Sequence, residues 1–212
     1  MIAKKILYWY DNNKRSLPWR RKCSSKQKKY YTFVSEFMLQ QTQVTTVIPY
    51  FNNFIKNIPN FKALAKVNET KLLRYWQGLG YYSRAKNLKK SAKLIIDKYN
   101  GRLPDNYDEL IKLPGVGDYT ASAISSIAFN QKIIPLDGNI ERLLKRILNL
   151  KTEREVKKEN LHKEKKVFGQ TSRSSDYVQA LMEIGALLCK PKNPNCEKCP
   201  ITKYCLSFKR QD

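Results

Sequence analysis

The chain has 212 residues, of which 41 are Lys or Arg and 18 are Asp or Glu, so the formal net charge is +23. A charge of this size and sign attracts polyanions and favours nucleic acid over a membrane surface as the partner. Because no apolar run reaches the ~18 residues of a membrane span, we expect an intracellular protein with no membrane partner. In that compartment five cysteines indicate metal or cluster ligation rather than disulfides.

The N-terminal segment carries apolar side chains at helical spacing, which predicts an amphipathic helix over residues 2–10. The motif Leu17-Pro18-Trp19-Arg20 follows this helix. A Trp beside a Pro is usually a core residue, although it can also line a ligand site, and both interpretations stay open. Residues 21–30 are basic and polar and predict a loop that carries Cys23.

Residues 33–48 predict one amphipathic helix with an apolar inward stripe. Its single acid, Glu36, shares a face with Gln40 and Gln43 by i, i+4, i+7 spacing. A lone Glu beside an apolar stripe usually lies at the solvated edge of a helix, and the residues alone favour that interpretation.

The next helix is predicted over residues 69–77 and ends at Gly78-Leu79-Gly80. Tyr81 and Tyr82 then lie on a turn, where aromatic rings either fill a core or wedge between stacked bases. A further helix, basic on its outer face, is predicted over residues 83–99.

A tight turn at Gly115-Val116-Gly117 separates a helix that ends at Pro114 from one that starts at Asp118. The two glycines permit positive φ and close backbone approach, and the amides that open the second helix suit one phosphate oxygen. This pattern predicts a helix-hairpin-helix. A helix C-cap within an ordinary bundle is the alternative.

Asp137 precedes a helix with an apolar stripe from Ile140 to Leu148, which predicts at least a helix N-cap. Residues 151–166 predict a solvated helix that carries the single histidine, His162. That histidine lacks a nearby nucleophile or metal-ligand partner, which argues against a His-dependent hydrolase. With a last long helix over 176–188 and no strand pattern, the chain predicts an all-α fold of about ten helices.

Four cysteines with the spacing C-x6-C-x2-C-x5-C close the chain: Cys189, Cys196, Cys199 and Cys205. Four thiolates this close can hold either tetrahedral zinc or a [4Fe-4S] cluster, and spacing alone does not choose between them. Lys190 and Lys192 lie between the first two cysteines, in a stiff basic loop able to contact phosphates.

Taken together, the PGVG hairpin, the LDGN motif at residues 136–139 and the spaced cysteines resemble the helix-hairpin-helix family of base-excision DNA glycosylases. The runs MLQQTQV and GLGYYSR resemble its adenine-specific branch. The resemblance implies a two-lobed all-α fold, with a six-helix barrel lobe at 24–132 and an iron-sulfur lobe formed by 1–23 plus 133–212. It also implies a [4Fe-4S] cluster rather than zinc.

The function implied by the resemblance is monofunctional excision of adenine opposite guanine or 8-oxoguanine in double-stranded DNA. Glu36 would protonate the base, Asp137 would stabilise the sugar, Asn139 would orient that acid, and Tyr119 replaces the Schiff-base lysine of bifunctional relatives. Desolvation of Glu36 by neighbouring apolar side chains would favour its protonated form. The implied base pocket comprises Trp19, Arg20 and Gln179, and the implied DNA contacts are Gln41, Leu79, Tyr81, Gly115, Gly117, Lys190 and Lys192.

Two alternatives remain at this stage: a thymine-mismatch glycosylase of the same superfamily, and a DNA-binding module without catalysis. Intact Glu36 and Asp137 argue against the second. Members of the adenine branch typically continue past the cluster into a domain that recognises 8-oxoguanine, and this sequence ends at Asp212. We expect a monomer in the bacterial cytoplasm, associated with the nucleoid.

Overall fold

The computed structural model describes residues 2–150 and 171–209, and every regular element within them is helical. The all-α prediction is therefore confirmed. The predicted helix at 151–166, with His162, lies outside the described residues. No helix in the described part of the chain is both long enough and apolar enough to cross a membrane.

The elements follow one another as short and medium helices joined by tight turns. In chain order they are α1 (Ile2–Asn13), a 3₁₀ turn (Pro18–Arg20), α2 (Ser25–Leu39), α3 (Val44–Asn57), α4 (Phe61–Lys66), α5 (Glu69–Trp76), α6 (Tyr82–Tyr99), α7 (Tyr107–Leu110), α8 (Asp118–Phe129), α9 (Gly138–Leu148), α10 (Ser174–Leu187), a second 3₁₀ turn (Thr202–Tyr204) and α11 (Leu206–Lys209).

The chain divides into two compact units. The central unit is Ser16–Phe129, and the terminal unit combines Met1–Arg15 with Asn130–Asp212. Residues 130–132, expected in the barrel lobe, lie in the terminal unit, and residues 16–23, expected in the iron-sulfur lobe, lie in the central unit. There the Trp19 ring packs edge-on against Phe51, with ring centroids 5.4 Å apart.

Helix α2 is the axis of the central unit and packs on α3, α6 and α8. It begins inside the predicted loop because Ser24 and Gln27 form a capping box: the Ser24 hydroxyl accepts from the Gln27 amide at 3.2 Å, and the Gln27 side chain accepts from the Ser24 amide. Its inward face buries Phe33 and Phe37 completely. Each fully buried ring of this size contributes roughly 1.5–3 kcal/mol of transfer free energy.

The prediction of one helix over residues 33–48 is wrong. Helix α2 ends at Leu39, and α3 begins at Val44 after the N-cap residue Gln43. Gln41 lies between them with a φ of 54°, in the left-handed region that an α-helix does not use. Apolar periodicity continues across this turn, so the pattern alone did not reveal the break, and Gln43 does not share a helix face with Glu36.

The terminal unit packs α1 on α10, and α9 on α10 and α11. The predicted apolar stripe of α9 is confirmed, because Ile140, Leu143, Leu144 and Ile147 are all buried. Arg15, just after α1, donates two hydrogen bonds to the carboxylate of Glu183 on α10, at 2.8 and 2.9 Å. These contacts link the segment after α1 to α10 within the terminal unit.

Candidate active site and cluster loop

Glu36 lies in the interior of α2 with only 6% of its surface exposed. Phe33 and Phe37, on the same helix, are completely buried. The interpretation that Glu36 lies at a solvated helix edge is therefore wrong. The structure therefore places the Glu36 carboxyl group on the buried part of α2.

The hairpin before α8 packs closely against α2. Gly115 has a φ of 79°, and a Cβ at this position would lie 2.9 Å from both a Phe37 ring carbon and the Asn87 Cβ. The side-chain amide of Gln40 donates to the Gly115 carbonyl at 3.1 Å. Gly117, by contrast, lacks a positive φ and has open space around it. The expectation that both glycines supply positive φ therefore holds for Gly115 only.

Tyr119 is the second residue of α8 and is half-buried. The Asp118 carboxylate, one residue earlier, accepts a hydrogen bond from the Tyr107 hydroxyl at 2.8 Å, which ties the start of α8 to α7. A tyrosine carries no amine, so position 119 offers no group for an imine with an opened sugar. The chemistry at this position is limited to hydrogen bonding and packing.

Asp137 caps α9 and is held by three donors. Its Oδ1 accepts from the backbone amides of Ile140 at 2.7 Å and Asn139 at 3.0 Å, and its Oδ2 accepts from the Asn139 side-chain amide at 3.0 Å. The N-cap interpretation is confirmed. It is compatible with an electrostatic role, because these donors and the positive end of the helix dipole stabilise a charged carboxylate.

A hydrogen-bond chain links Asp137 to the cysteine loop within the terminal unit. Arg142 donates to the Asn139 side-chain oxygen at 2.9 Å and to the Cys189 carbonyl at 2.7 Å. The same guanidinium also donates to the Gly185 carbonyl at 2.7 Å. One planar donor group therefore orients Asn139 and fixes the start of the cysteine loop.

Gly185 lies inside α10 because Asn139 occupies the space beside it. A Cβ at Gly185 would lie 2.6 Å from the Asn139 Cβ and 3.1 Å from its carbonyl oxygen. A glycine inside a helix costs about 0.5–1 kcal/mol relative to alanine. Because α9 and α10 approach each other so closely at this point, a larger residue would clash, and glycine is present despite its lower helix stability.

The four cysteines line one cavity in the terminal unit. All four thiols are free and half-buried. Burial raises the pKa of the Cys199 thiol and of the Cys196 thiol, and the neighbouring thiolates of Cys189 and Cys205 raise that of Cys196 further. Four cysteine side chains are the usual ligand set of an iron-sulfur cluster. The residue types that line the cavity therefore fit such a cluster.

Arg146 braces the segment that follows Cys189. It donates to the Cys189 sulfur at 3.3 Å and to the carbonyls of Lys190 at 2.7 Å and Pro191 at 2.9 Å. The side chains of Lys190 and Lys192 are exposed on this loop. The structure therefore presents both predicted phosphate contacts from a braced backbone.

The predicted base-pocket residues have mixed positions. Trp19 packs against the central core, as the core interpretation expects, and Arg20 is half-buried on the same 3₁₀ turn. Gln179 is 7% exposed, and its side-chain amide donates to the Ser175 carbonyl one turn earlier in α10 at 3.0 Å. None of these three side chains is fully exposed.

Among the predicted DNA contacts, Gln41 and Tyr81 are exposed but Leu79 is not. Tyr81 is 59% exposed, whereas Leu79 is 5% exposed and belongs to the central core. Leu79 therefore does not face solvent in this structure, and its contact with DNA stays a prediction. The turn directs its side chain inward because the Leu79 amide donates to the Trp76 carbonyl at 3.0 Å and its carbonyl accepts from Arg84.

Sequence reasoning missed the side chains that position the others, above all Arg84, Arg142 and Arg146. Each is one basic residue among 41. Two features of the sequence could have indicated the role of Arg142. They are its i, i+3 spacing from Asn139 and the glycine at position 185 inside an apolar helix. The remaining partners lie far away in the sequence.

Comparison with known proteins places the chain in a family. Residues 34–167 match the model of the HhH-GPD superfamily base excision DNA repair proteins, and residues 189–205 match the iron-sulfur binding domain of endonuclease III. The chain therefore belongs to the HhH-GPD superfamily of base excision DNA repair proteins. The second match confirms the prediction of an iron-sulfur cofactor, a [4Fe-4S] cluster, rather than zinc.

Among its relatives, the adenine DNA glycosylase of Buchnera aphidicola subsp. Baizongia pistaciae is 43% identical over 204 residues, which cover 96% of this chain and 57% of the relative. The chain spans about half the length of the curated relatives that it matches. A thermostable thymine-DNA glycosylase has a similar structure, with a TM-score of 0.77, 26% identity and coverage of 98% of this chain and 95% of that one.

A trapped covalent intermediate of endonuclease III with DNA also has a similar structure. Its TM-score is 0.76, its identity is 24%, and the match covers 99% of this chain and 95% of that one. At this identity the likeness concerns the fold alone. Both solved structures support the predicted helix-hairpin-helix glycosylase fold.

Proposed function

We propose that this chain is a monofunctional adenine DNA glycosylase that hydrolyses the N-glycosidic bond of adenine mispaired with guanine or 8-oxoguanine. The proposal is carried by two carboxyl groups, one in each of the two units. Glu36 is buried within α2, and Asp137 is held by three N–H donors at the start of α9. The 43% identity to a named adenine DNA glycosylase supports the choice of base.

Glycosidic cleavage needs an acid for the leaving group and a negative charge beside the oxocarbenium-like sugar. In our proposal Glu36 gives its proton to N7 of adenine, so that the base leaves with the electron pair of the C1′–N9 bond. Asp137 stabilises the positive charge that develops on the sugar. Water then adds to C1′ and gives up a proton, which restores the Glu36 carboxylic acid. Two carboxyl groups in different environments commonly divide acid and charge-stabilising roles in this way.

The residue at position 119 decides whether strand cleavage can accompany base release. Because Tyr119 has no amine, we propose that the enzyme leaves an intact abasic strand and does not cut the backbone through an imine. In the proposal the phenol, which lies on the first turn of α8, contacts the sugar region through its hydroxyl. Asn139 orients Asp137 through the side-chain amide described above.

Double-stranded DNA is the proposed partner, and the backbone contacts carry most of the affinity. The amides at the start of α8 follow the Gly115–Gly117 hairpin, where a helix N-terminus favours a phosphate oxygen. Lys190 and Lys192 add positive charge on the cysteine loop, and the chain as a whole carries a net charge of +23. Binding is therefore expected to weaken steeply as salt concentration rises.

The four cysteines would hold the iron-sulfur cluster, because they line one cavity. When bound, the cluster would supply iron-sulfur bonds that cross-link the 189–205 loop. Arg142 and Arg146 hold the beginning of that loop through hydrogen bonds to the carbonyls of Cys189 and Lys190. We also propose that the protein acts as a monomer. Because its proposed substrate is chromosomal DNA, we propose that it acts at the bacterial nucleoid.

One observation favours a second candidate function. The solved thymine-DNA glycosylase is similar over almost the whole chain, with a TM-score of 0.77. Excision of thymine from a T:G mispair is therefore the alternative reaction. The MLQQTQV and GLGYYSR runs and the 43% identical relative favour adenine.

Single-turnover assays on duplexes with A:8-oxoguanine, A:G and T:G pairs, followed by alkali, test the proposal. We expect adenine release from the first two, and a loss of about 10²–10⁴-fold in rate for Glu36→Gln with affinity retained. Glu69→Gln is the matched control, since Glu69 is an exposed acid that pairs with Lys86 at 2.8 Å. Thymine release from T:G would support the alternative, and tight binding without base release would indicate a non-catalytic module.

A further inference from the structure

Two turns of the central unit, at Gln41 and at Tyr81, hold a non-glycine residue in the left-handed region, as the end of α6 does at Asn100. Gln41, after α2, has a φ of 54°, and Tyr81, before α6, has a φ of 48°. Residues other than glycine rarely adopt this backbone conformation. Where they do, contacts with neighbouring groups hold the conformation in place. Both side chains are exposed, Tyr81 to 59%. Both residues are among the predicted DNA contacts.

One buried guanidinium binds both turns. Arg84 is 7% exposed. On the α2 side its Nη1 donates to the carbonyls of Met38 at 2.8 Å, Phe37 at 3.2 Å and Gln40. On the other side its Nη2 donates to the carbonyls of Leu79 at 3.2 Å and Gly80 at 3.3 Å.

The same group also contacts the aromatic rings of the second turn. The Arg84 guanidinium carbon lies 5.2 Å from the centre of the Tyr81 ring and 5.6 Å from that of Trp76. Its Nε has no hydrogen-bond partner in the described part of the chain. Burial of a cation costs free energy, and lysine, with its single point charge, cannot reproduce a planar fork that reaches two turns at once.

We propose that Arg84 is a positioning residue that holds the Gln41 and Tyr81 turns as one unit, and that it thereby controls extrusion of the target base. The inference rests on the proposed function and on the DNA contacts that the family resemblance implies for Gln41 and Tyr81. Because each strained turn is held by the same guanidinium, movement of one turn releases the other. Arg84 itself acts through the two turns.

The test is a double-mutant cycle with Arg84→Lys and Tyr81→Ala on an A:8-oxoguanine duplex. Single-turnover excision is expected to fall about 10- to 100-fold in each single variant, since misplacement by about 1 Å can cost that much. The double variant is expected to lie within about threefold of the slower single variant. Losses that multiply would overturn the inference. Arg102→Lys, at an exposed arginine in the same unit, is the matched control.

A second readout separates this inference from the proposed function. A 2-aminopurine placed beside the target adenine reports base extrusion by its fluorescence, whether or not the base is released. The wild-type chain is expected to raise this fluorescence, and Arg84→Lys is expected to abolish the rise while Arg102→Lys retains it. If the wild type extruded the base without releasing it, the proposed function would be wrong and the role of Arg84 would still stand. If Arg84→Lys showed an unchanged fluorescence rise, the role of Arg84 would be wrong.

A stability measurement covers the case in which Arg84→Lys folds poorly. If the guanidinium supports the left-handed backbone of Tyr81, its loss leaves that strain unsupported, and glycine relieves it at no steric cost. Tyr81→Gly is therefore expected to raise the melting temperature in the Arg84→Lys background more than in the wild type. An equal change in both backgrounds would contradict the coupling.

Discussion

The side-chain amide of Asn139 donates to Oδ2 of Asp137 at 3.0 Å, while its backbone amide donates to Oδ1 of the same carboxylate, also at 3.0 Å. One residue therefore fixes both oxygens of the acid. Arg142 in turn fixes the Asn139 side chain from the other end, at 2.9 Å. The orientation of the Asp137 carboxylate, the proposed charge-stabilising group, thus depends on Asn139, whose side chain does not ionise.

Asn139→Ala is expected to slow excision by about 10- to 100-fold, because a hydrogen bond to a charged group is worth about 1.5–3 kcal/mol. The backbone donors to Asp137 remain, so DNA affinity should change by less than about threefold. Single-turnover rates and dissociation constants at one stated salt concentration measure the two quantities. Asn12→Ala, which removes an exposed side-chain amide bonded within α1, is the control. Unchanged excision in Asn139→Ala would show that Asp137 needs no such orientation.

The sequence was sufficient wherever function and local structure use the same residues. Asp137 was predicted as both an N-cap and an acid, and the structure shows the cap directly. The spacing of the four cysteines was sufficient to predict a metal or cluster site. The break at Gln41 and the burial of Leu79 were not predicted, because both turns contact the Arg84 guanidinium, which is distant in sequence from the carbonyls of α2. Periodicity carries no information about such contacts.

The hairpin offers a matched pair of glycine substitutions. Gly115→Ala places a Cβ 2.9 Å from Phe37 and Asn87 at a φ of 79°, so unfolding free energy should fall by about 1–3 kcal/mol. Gly117→Ala meets nothing within 4 Å at an ordinary φ and should change stability by less than about 1 kcal/mol. Urea denaturation with a common m-value measures both. Equal losses in the two variants would mean that contact with α2 does not set the hairpin.

Cluster ligation is tested by comparing two classes of cysteine. Cys199→Ser should remove the visible absorbance of the anaerobically purified protein and lower its iron content from about four atoms per chain. Cys23→Ser is the control and should keep both, because Cys23 packs beside the central core, in the other unit. Stoichiometric zinc without iron in the wild-type protein would contradict the assignment.

Asp11 makes stability depend on pH. Arg173 donates to both Asp11 oxygens, at 2.7 and 2.9 Å, and these hydrogen bonds lower the pKa of the Asp11 carboxyl. A group with a lowered folded-state pKa adds stability above its unfolded pKa, about 3.9, and loses it as pH falls through the lower folded value. Both side chains are over 40% exposed, so the contribution is about 0.2–1 kcal/mol at neutral pH.

Asp11→Asn should therefore be slightly less stable than the wild type at pH 7, and the difference should vanish at pH values well below 3.9. Urea denaturation at a series of pH values in low salt measures it. Asp97→Asn, at an exposed acid on α6, is the control. A difference that grew on acidification would reverse the sign of the argument.

Tyr119 determines whether a covalent adduct can form. The wild-type chain should leave an abasic strand that breaks only after alkali or heat, and borohydride should trap no protein–DNA adduct, because an imine needs an amine at the sugar. Tyr119→Lys places an amine on the first turn of α8, beside the hairpin, and should give measurable trapping. Tyr119→Phe, which removes only the hydroxyl, is the control and should give none. Trapping by the wild-type chain would show that another of its amines reaches the sugar, and failure of Tyr119→Lys to trap would place position 119 away from it.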